Sequence, residues 1–216
     1  MQSDHLDSQL DSICERWNLL KHPFYVAWAA GTLSRAQLRD YAAQYAHVVA
    51  AIPQWIAADG AAHPARAAEL RAHAAEEAEH VGMWAEFAAA LADGQVPAHD
   101  VAPNAATVAL LRTGAEAAHN GSGTAAAWAI EAQSPAVSAE KLRGLAEHYD
   151  IREHNGARYF ALHAELDKDH EQQLRSILHE QAVAASQASL RAAEATASGL
   201  WDLLSSVYEK KELAHA

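Results

Sequence analysis

Two histidines and an aspartate lie on one line of the segment HAELDKDH, at His163, Asp167 and His170. Spacings of four and three residues place side chains on one face of an α-helix, because 3.6 residues make a turn. The line continues into apolar residues at both ends, with Phe160 before it and Leu174 after it. An apolar line predicts a face turned toward the interior. Imidazole and carboxylate groups on such a face indicate ligands for iron, manganese or zinc.

A second segment has the same anomaly, a polar interruption in the middle of an apolar line. That line reads Leu70, His73, Glu77, His80, Trp84, Phe87 and Leu91. Glu77 and His80 have the Glu-x-x-His spacing with which helical bundles bind paired metal ions. The helical period turns Glu77 inward and Glu76 only partly inward, so Glu77 is the preferred ligand.

A third segment, TAAAWAIEAQSP, contains a single charged residue, Glu131, among small and apolar neighbours. A buried carboxylate without a partner costs several kcal/mol, so Glu131 is expected to be paired, protonated or bound to a cation. Pro135 has no N–H and cannot bond the carbonyl of residue 131. The helix is therefore expected to loosen or kink where Glu131 projects.

Each of these patterns has an alternative explanation when taken alone. A lone histidine on an apolar face, such as His73, is usually a core residue bonded to a carbonyl. A single Glu-x-x-His match arises easily by chance in a chain rich in Ala, Glu and His. Because three separate segments direct donors to what should be one interior, the coincidence favours a metal site.

Helix start and stop signals divide the chain into about seven segments. Ser34 and Gln37 form a capping box that starts the third of them. The longest predicted loop is DGQVPAHDVAPN, residues 93–104. The expected helices are 6–20, followed by a short piece at 23–30, then 34–58, 64–92, 105–119, 124–148, 156–184 and 186–209.

Composition predicts one all-α domain spanning residues 1–216, because Ala dominates while Gly and Pro are sparse. A net charge of −12 argues against nucleic acid or an anionic membrane as partner and favours a small molecule. No signal peptide and no run of 18 apolar residues is present, so a cytoplasmic location is expected. With one cysteine and 14 histidines, a transition-metal site would consist of imidazole and carboxylate.

The order Glu77, His80, Glu131, His163-x3-Asp167-x2-His170 resembles the heme-oxygenase-like di-iron oxidases and oxygenases. Segments such as HPFYVAWAAGTLSRAQLRDYAAQYAHVVAAIPQW, EAQSPAVSAEKLRGLAEHY and YFALHAELDKDH extend the resemblance to most of residues 15–208. The similar branch is named after the Chlamydia protein associating with death domains. The resemblance implies an up-and-down bundle with two iron ions, or one iron and one manganese, that use dioxygen and an external reductant. The implied ligands are Glu77, His80, Glu131, His163, Asp167 and His170.

Members of that branch make p-aminobenzoate for folate synthesis by oxidatively excising one of their own tyrosines. The resemblance assigns the excised residue to Tyr25, the amino donor to Lys141 and a relay to Tyr41. The chain departs from the branch at two positions. His73 occupies the position of the usual first carboxylate, two turns before His80, so His73, Glu76 and Glu77 all remain candidates for that ligand. Ile130 replaces a tyrosine before the bridging glutamate.

Other functions remain open at this point. A di-iron site could act on an external fatty acid, amino acid or amine, since the Glu-x-x-His spacing also resembles the UndA decarboxylase branch. A metal-free pocket protein like TenA or PqqC is a second alternative, and TenA-type hydrolysis would use a cysteine, for which Cys14 is the candidate. A heme protein would need an early histidine such as His22. A binding role without chemistry is a further alternative. Relatives of this fold commonly form dimers, so a homodimer is among the expected states.

Overall fold

The computed structural model of the protein describes residues 2–92, 101–181 and 183–209, and these residues form nine α-helices and no strand. The expected all-α class is therefore confirmed. Short 3-10 turns at Leu19–Lys21 and Glu153–Asn155 precede the second and eighth helices. The helices are α1 (Gln2–Arg16), α2 (Pro23–Ala29), α3 (Arg35–Asp59), α4 (Ala67–Ala92), α5 (Ala105–His119), α6 (Gly123–Glu131), α7 (Ser134–His148), α8 (Arg158–His179) and α9 (Val183–Tyr208).

Local capping signals explain several of these boundaries. The predicted capping box is present at the start of α3, where Ser34 and Gln37 satisfy each other's backbone N–H groups. Asn104 caps α5 by accepting a hydrogen bond from the Thr107 N–H at 2.9 Å. The predicted first helix ended too late, because α1 ends at Arg16. Most of the predicted 93–104 loop, residues 93–100, lies outside the described residues.

The predicted segment 124–148 is two helices, since α6 ends at Glu131 and α7 begins at Ser134. Pro135 lies in the first turn of α7, where its missing N–H costs nothing. The expected kink beside Glu131 is therefore a full break in the helix. Gln133 occupies the break, and its side chain accepts a hydrogen bond from the Leu19 N–H at 2.9 Å.

Helix packing brings the three donor-bearing segments together. Helix α3 packs along α4, α7 packs along α8, and α9 covers α5 and α6. Helix α8 also contacts both α4 and α6. The shared interior contains fully buried aromatic rings, among them Trp28, Trp84 and Phe160. Burial of such large apolar surfaces is the main stabilising contribution to a helical bundle.

The register of α7 against α2 depends on a close approach at Gly144. A Cβ atom at Gly144 would lie 2.6 Å from Cδ1 of Trp28, so a larger residue would push the helices apart. The Trp28 indole donates a hydrogen bond to the Lys141 carbonyl at 3.3 Å. This packing holds Lys141 beside α2, the helix that contains Tyr25.

None of the helices in the described ranges combines the length and the apolar character needed to cross a membrane.

Candidate metal centre

Seven side chains from α4, α6 and α8 form one buried group, here called the donor cluster. Each has between 1% and 6% of its surface exposed. The cluster contains every metal ligand predicted from the sequence, together with one histidine whose role the sequence left open. Its members are His73, Glu77 and His80 of α4, Glu131 of α6, and His163, Asp167 and His170 of α8.

One end of the donor cluster brings His73, Glu77, Glu131 and His170 together. One donor atom from each of these four residues lies within 4.8 Å of the others. His73 Nε2 is 3.3 Å from Glu131 Oε1, and His170 Nδ1 is 3.3 Å from Glu77 Oε1. Two imidazoles and two carboxylates at these distances can surround one cation.

The other end brings Glu77, His80 and His163 together, again with donor atoms within 4.8 Å of one another. His80 Nδ1 is 3.2 Å from Glu77 Oε1, and His163 Nε2 is 4.0 Å from Glu77 Oε2. Glu77 therefore belongs to both ends. Asp167 lies outside these two compact groups, with its Oδ1 3.9 Å from His170 Nδ1.

Many donor atoms of the cluster are buried without a hydrogen-bond partner. Both oxygens of Glu131 and of Asp167, both ring nitrogens of His73, and Nε2 of His163 are in this state. Buried polar atoms in proteins are normally satisfied, and leaving one unpaired costs about 1–3 kcal/mol. Cations coordinated at both ends would satisfy these atoms together. The donor set therefore fits a pair of divalent transition-metal ions.

The carboxylates crowd negative charge in the buried cluster. Burial, with the charges of Glu77 and Asp167 added, raises the pKa of Glu131 well above its usual range. Burial also raises the pKa of Asp167. Burial also opposes ionisation of Glu77. The histidines around that carboxylate, His163, His170 and His80, nevertheless hold its pKa well below the usual range. Without a cation, protons must compensate the charge of the cluster.

The pKa values of two histidines in the cluster shift in opposite directions because their neighbours differ. Burial lowers the pKa of His73 to about 4. Burial opposes the charged form of His170 as well, but the hydrogen bond to Glu77 and the charge of Glu131 raise its pKa to about 9. In the metal-free protein His73 is thus a neutral imidazole with a free lone pair, the form in which a histidine binds a metal.

Contacts outside the cluster orient two of the rings. His163 Nδ1 lies 2.7 Å from the Tyr159 carbonyl, so its Nε2 points to Glu77. His170 Nε2 lies 3.4 Å from Glu76 Oε2, which leaves Nδ1 facing the cluster. The Glu76 side chain itself is 48% exposed. Such outer contacts fix the ring nitrogen available to a metal.

Tyr25, Tyr41 and Lys141 lie together beside the donor cluster, and all three are buried. Lys141 Nζ donates to the Tyr41 hydroxyl at 2.7 Å, and the Tyr41 and Tyr25 hydroxyls are 3.5 Å apart. Lys141 Nζ is 5.5 Å from the centre of the Tyr25 ring. Burial lowers the pKa of Lys141 to about 7. Lys141 is therefore a buried residue of the helix interface and not a solvated one.

A small cavity, here called the phenol cavity, is lined by Tyr25, Tyr45, Ile130, Lys141 and Tyr159 among others. Its volume is about 20 Å³, room for about one water molecule. Tyr159 joins the cavity to the donor cluster, because its ring stacks on His163 at 3.8 Å between centroids.

Tyr45 and Tyr159 were missed by the sequence analysis. A helical-period signal was available for both, since Tyr45 is one turn after Tyr41 and Tyr159 is one turn before His163. The signal is weak because a buried tyrosine at helical spacing is most often an ordinary core residue.

The residues proposed for the rival functions lie in unsuitable surroundings. Burial raises the pKa of the Cys14 thiol to about 11, which leaves a poor nucleophile. His22 caps α2, because its Nδ1 accepts a hydrogen bond from the Phe24 N–H at 2.9 Å. Its Nε2 is 3.0 Å from the Ser205 hydroxyl, so both ring nitrogens are engaged.

Comparison with known proteins agrees with this geometry. A family described as iron-containing redox enzymes matches residues 39–203. A 4-aminobenzoate synthase of Nitrosomonas europaea is 31% identical over 97% of this chain and 93% of its own. A 4-aminobenzoate synthase of Chlamydia muridarum is 28% identical over 96% of this chain and 92% of its own.

Solved structures show the same fold at low sequence identity. A TenA homologue from Pseudomonas syringae pv. tomato has a TM-score of 0.79 at 17% identity, covering 94% of this chain and 93% of its own. A domain of unknown function with a heme oxygenase-like fold from Shewanella denitrificans has a TM-score of 0.78 at 17% identity, covering 99% and 93%. The chain therefore belongs to the iron-containing redox enzymes with a heme-oxygenase-like fold, in the branch that includes the 4-aminobenzoate synthases.

Proposed function

We propose that the protein is an oxygen-dependent non-heme di-iron oxidoreductase that makes 4-aminobenzoate from its own Tyr25. One observation carries this proposal: Tyr25 and Lys141 both line the phenol cavity. Tyr159 lines the same cavity, and its ring stacks on His163 of the donor cluster. The relatives named 4-aminobenzoate synthase support the choice of product.

The predicted ligands Glu77, His80, Glu131, His163, Asp167 and His170 would hold two iron ions, or one iron and one manganese. Glu77 is suited to contact both ions, because it is shared by the two ends of the cluster. When bound, the reduced metal pair supplies the activation of dioxygen, with electrons from an external reductant.

The proposed net change rearranges bonds in two side chains, with dioxygen as the oxidant. The Cα–Cβ bond of Tyr25 breaks, and its Cβ is oxidised to the carboxylate carbon of the product. The phenolic oxygen leaves the ring as water and is replaced by the nitrogen of Lys141, whose Cε–Nζ bond breaks and whose Cε is oxidised to an aldehyde. Residue 25 remains in the chain as glycine. Two dioxygen molecules, two protons and two electrons from the external reductant balance the change, and two water molecules form in total. Both side chains are consumed, so each protein molecule makes one product molecule.

The residues around Tyr25 prepare the amine and move protons. With a pKa of about 7, Lys141 has a large neutral fraction near neutral pH, and its nitrogen lone pair is then available. The Tyr41 hydroxyl contacts both the Lys141 amine and the Tyr25 hydroxyl, so it can pass a proton between them. The buried aromatic surroundings separate both groups from bulk water.

Two features bear on the alternative of an external substrate. The phenol cavity has a volume of about 20 Å³ and cannot hold a fatty acid. Tyr25 is already part of the cavity lining, so its reaction requires no additional space. Ile130 replaces the branch tyrosine, but Tyr45 and Tyr159 also line the cavity, so phenol groups remain beside Tyr25. Both features favour self-consumption.

Isotope labelling tests the proposal. Protein carrying ring-labelled tyrosine and ¹⁵N-lysine is loaded with Fe(II) without oxygen, given a reductant and then exposed to air. We expect 4-aminobenzoate containing both labels and a loss of mass in the peptide that contains Tyr25. Unlabelled product with an intact Tyr25 peptide would instead indicate an external substrate.

Two tyrosine variants provide a matched comparison for this experiment. Tyr25→Phe removes the phenol that would be consumed and should abolish the product. Tyr149→Phe removes another buried phenol, which donates to the Leu33 carbonyl outside the phenol cavity, and should leave product formation intact.

A further inference from the structure

Helices α4 and α8 carry the same arrangement of donors. On α4 it is His73-x3-Glu77-x2-His80, and on α8 it is His163-x3-Asp167-x2-His170. Each arrangement places a carboxylate between two histidines along one helix face, over a length of about 10 Å. All six side chains are buried at the same interface.

The two arrangements pair crosswise. The rings of His73 and His170 have centroids 3.9 Å apart, and those of His80 and His163 are 4.6 Å apart. The first histidine of each helix thus meets the last histidine of the other, so the helices run in opposite directions at this point. The result is an approximate two-fold arrangement with one histidine pair at each end.

His73 lacks the contacts of an ordinary core histidine. Its residue surface is 3% exposed, and neither ring nitrogen has a hydrogen-bond partner. His22 shows the contrast, because both of its nitrogens are engaged by neighbouring groups. Gln173 lies close enough to the His73 ring to counteract part of the lowering of its pKa by a side-chain hydrogen bond. The geometry of this contact nevertheless falls short of a hydrogen bond, because both His73 nitrogens and Gln173 Oε1 lack a partner. The nearest ion-pair contact of His73 is Glu131 Oε1, 3.3 Å from Nε2.

We propose that His73 is a metal ligand, and that each of two divalent transition-metal ions is held by one histidine from α4 and one from α8. His73 and His170 would bind one ion together with Glu131, and His80 and His163 would bind the other, with Glu77 between them. This inference rests on the proposed di-metal function and deepens it. The centre would contain four imidazoles and three carboxylates, one imidazole more than the resemblance alone implies.

Metal stoichiometry tests the proposal without any turnover. Purified protein is loaded with Mn(II) in the absence of oxygen, freed of excess metal, and analysed for manganese per chain and by electron paramagnetic resonance. We expect the wild type to bind two ions with an exchange-coupled spectrum. His73→Ala should bind one ion and give the six-line spectrum of isolated Mn(II), and His80→Ala should also fall to one ion.

Three further variants keep the test decisive. His119→Ala removes an exposed histidine on α5 and should bind two ions like the wild type. His73→Glu supplies another donor and should recover the second ion, with a changed spectrum. If His73→Ala does not fold, His73→Gln replaces it and should weaken the second ion at least about tenfold.

Two exchange-coupled ions in His73→Ala, with wild-type affinity and spectrum, would overturn the assignment of His73 and leave the proposed function standing. A wild type that binds two ions and loses one in His73→Ala, yet forms no 4-aminobenzoate, would overturn the proposed function and leave this assignment standing. A wild type that binds no metal would overturn both.

Discussion

The donor cluster and the phenol cavity are neighbouring buried regions that differ in how their polar atoms are satisfied. In the donor cluster, Glu131, Asp167 and His73 have no hydrogen-bond partner on their buried donor atoms. In the cavity region, Lys141, Tyr41 and Tyr25 form a continuous chain of contacts. The donor atoms of the first region are grouped as metal ligands would be, whereas the second region brings together the proposed reactants, Tyr25 and Lys141. Changes in the cluster should therefore act on metal content, and changes in the cavity should act on product formation.

The largest effect is expected from Glu77→Gln, because this carboxylate is shared by both ends of the cluster. We expect loss of both ions and a fall in product formation of about 1,000-fold or more, measured by metal analysis and by 4-aminobenzoate yield. Retention of two ions would show that the two ends of the cluster do not depend on a shared ligand.

A smaller effect is expected from Lys141→Met, which keeps an unbranched apolar side chain as far as Cε and removes the amine. Product formation should fall by about 100-fold or more, because no nitrogen lies in the same place. Metal content should stay at the wild-type value. Loss of metal in this variant would mean that the two regions are not functionally separate.

Metal removal should destabilise the protein through the donor cluster. When the free metal concentration is 100 times the dissociation constant, binding of one ion stabilises the native state by about 2.7 kcal/mol. For a chain of this size, each such ion corresponds to a rise in melting temperature of roughly 5–10 °C. Thermal unfolding with and without Mn(II) measures this rise in melting temperature. Glu131→Ala should lose about half of the response, the share of the ion that Glu131 would bind, and His119→Ala should keep the full response.

The cavity should produce a pH dependence of its own through Lys141. Its pKa is about 7 in the folded protein and 10.5 ordinarily, so between these values the unfolded chain binds a proton that the native chain does not. Lys141 should therefore add about 2 kcal/mol to the change in the free energy of unfolding between pH 7 and 9. His170, whose pKa is raised to about 9, contributes with the opposite sign in the same interval, so the wild type has to be compared with Lys141→Met. In denaturant titrations at both pH values, the change from pH 7 to 9 should be about 2 kcal/mol more positive in the wild type than in Lys141→Met.

The smallest effect is expected from Glu76→Gln, which changes the outer contact of His170. Because the Glu76 side chain is 48% exposed, its hold on the ring is weak, and metal affinity should fall about tenfold or less. Isothermal titration with Mn(II) measures this change. A loss as large as that of Glu77→Gln would make Glu76 a ligand.

Helical periodicity made much of this protein predictable from sequence. The capping box at Ser34, the inward direction of Glu77 and the disturbance beside Glu131 all depend on residues within a few positions of one another. Local backbone geometry determines such features, so they can be recognised without knowing which helices are neighbours. The resemblance to di-iron proteins supplied the remaining ligand assignments.

Tertiary structure alone decided the features that depend on distant helices. Three features join residues that are about 100 positions or more apart: the pairing of His73 with His170, the burial of Lys141 against Tyr41, and the place of Tyr159 beside Tyr45 in the cavity wall. The sequence by itself determined the helices and the donors that each carries. Only packing decided which donors meet. The sequence of an apolar helix face predicts that the face is buried, but it does not predict which other helix packs against it.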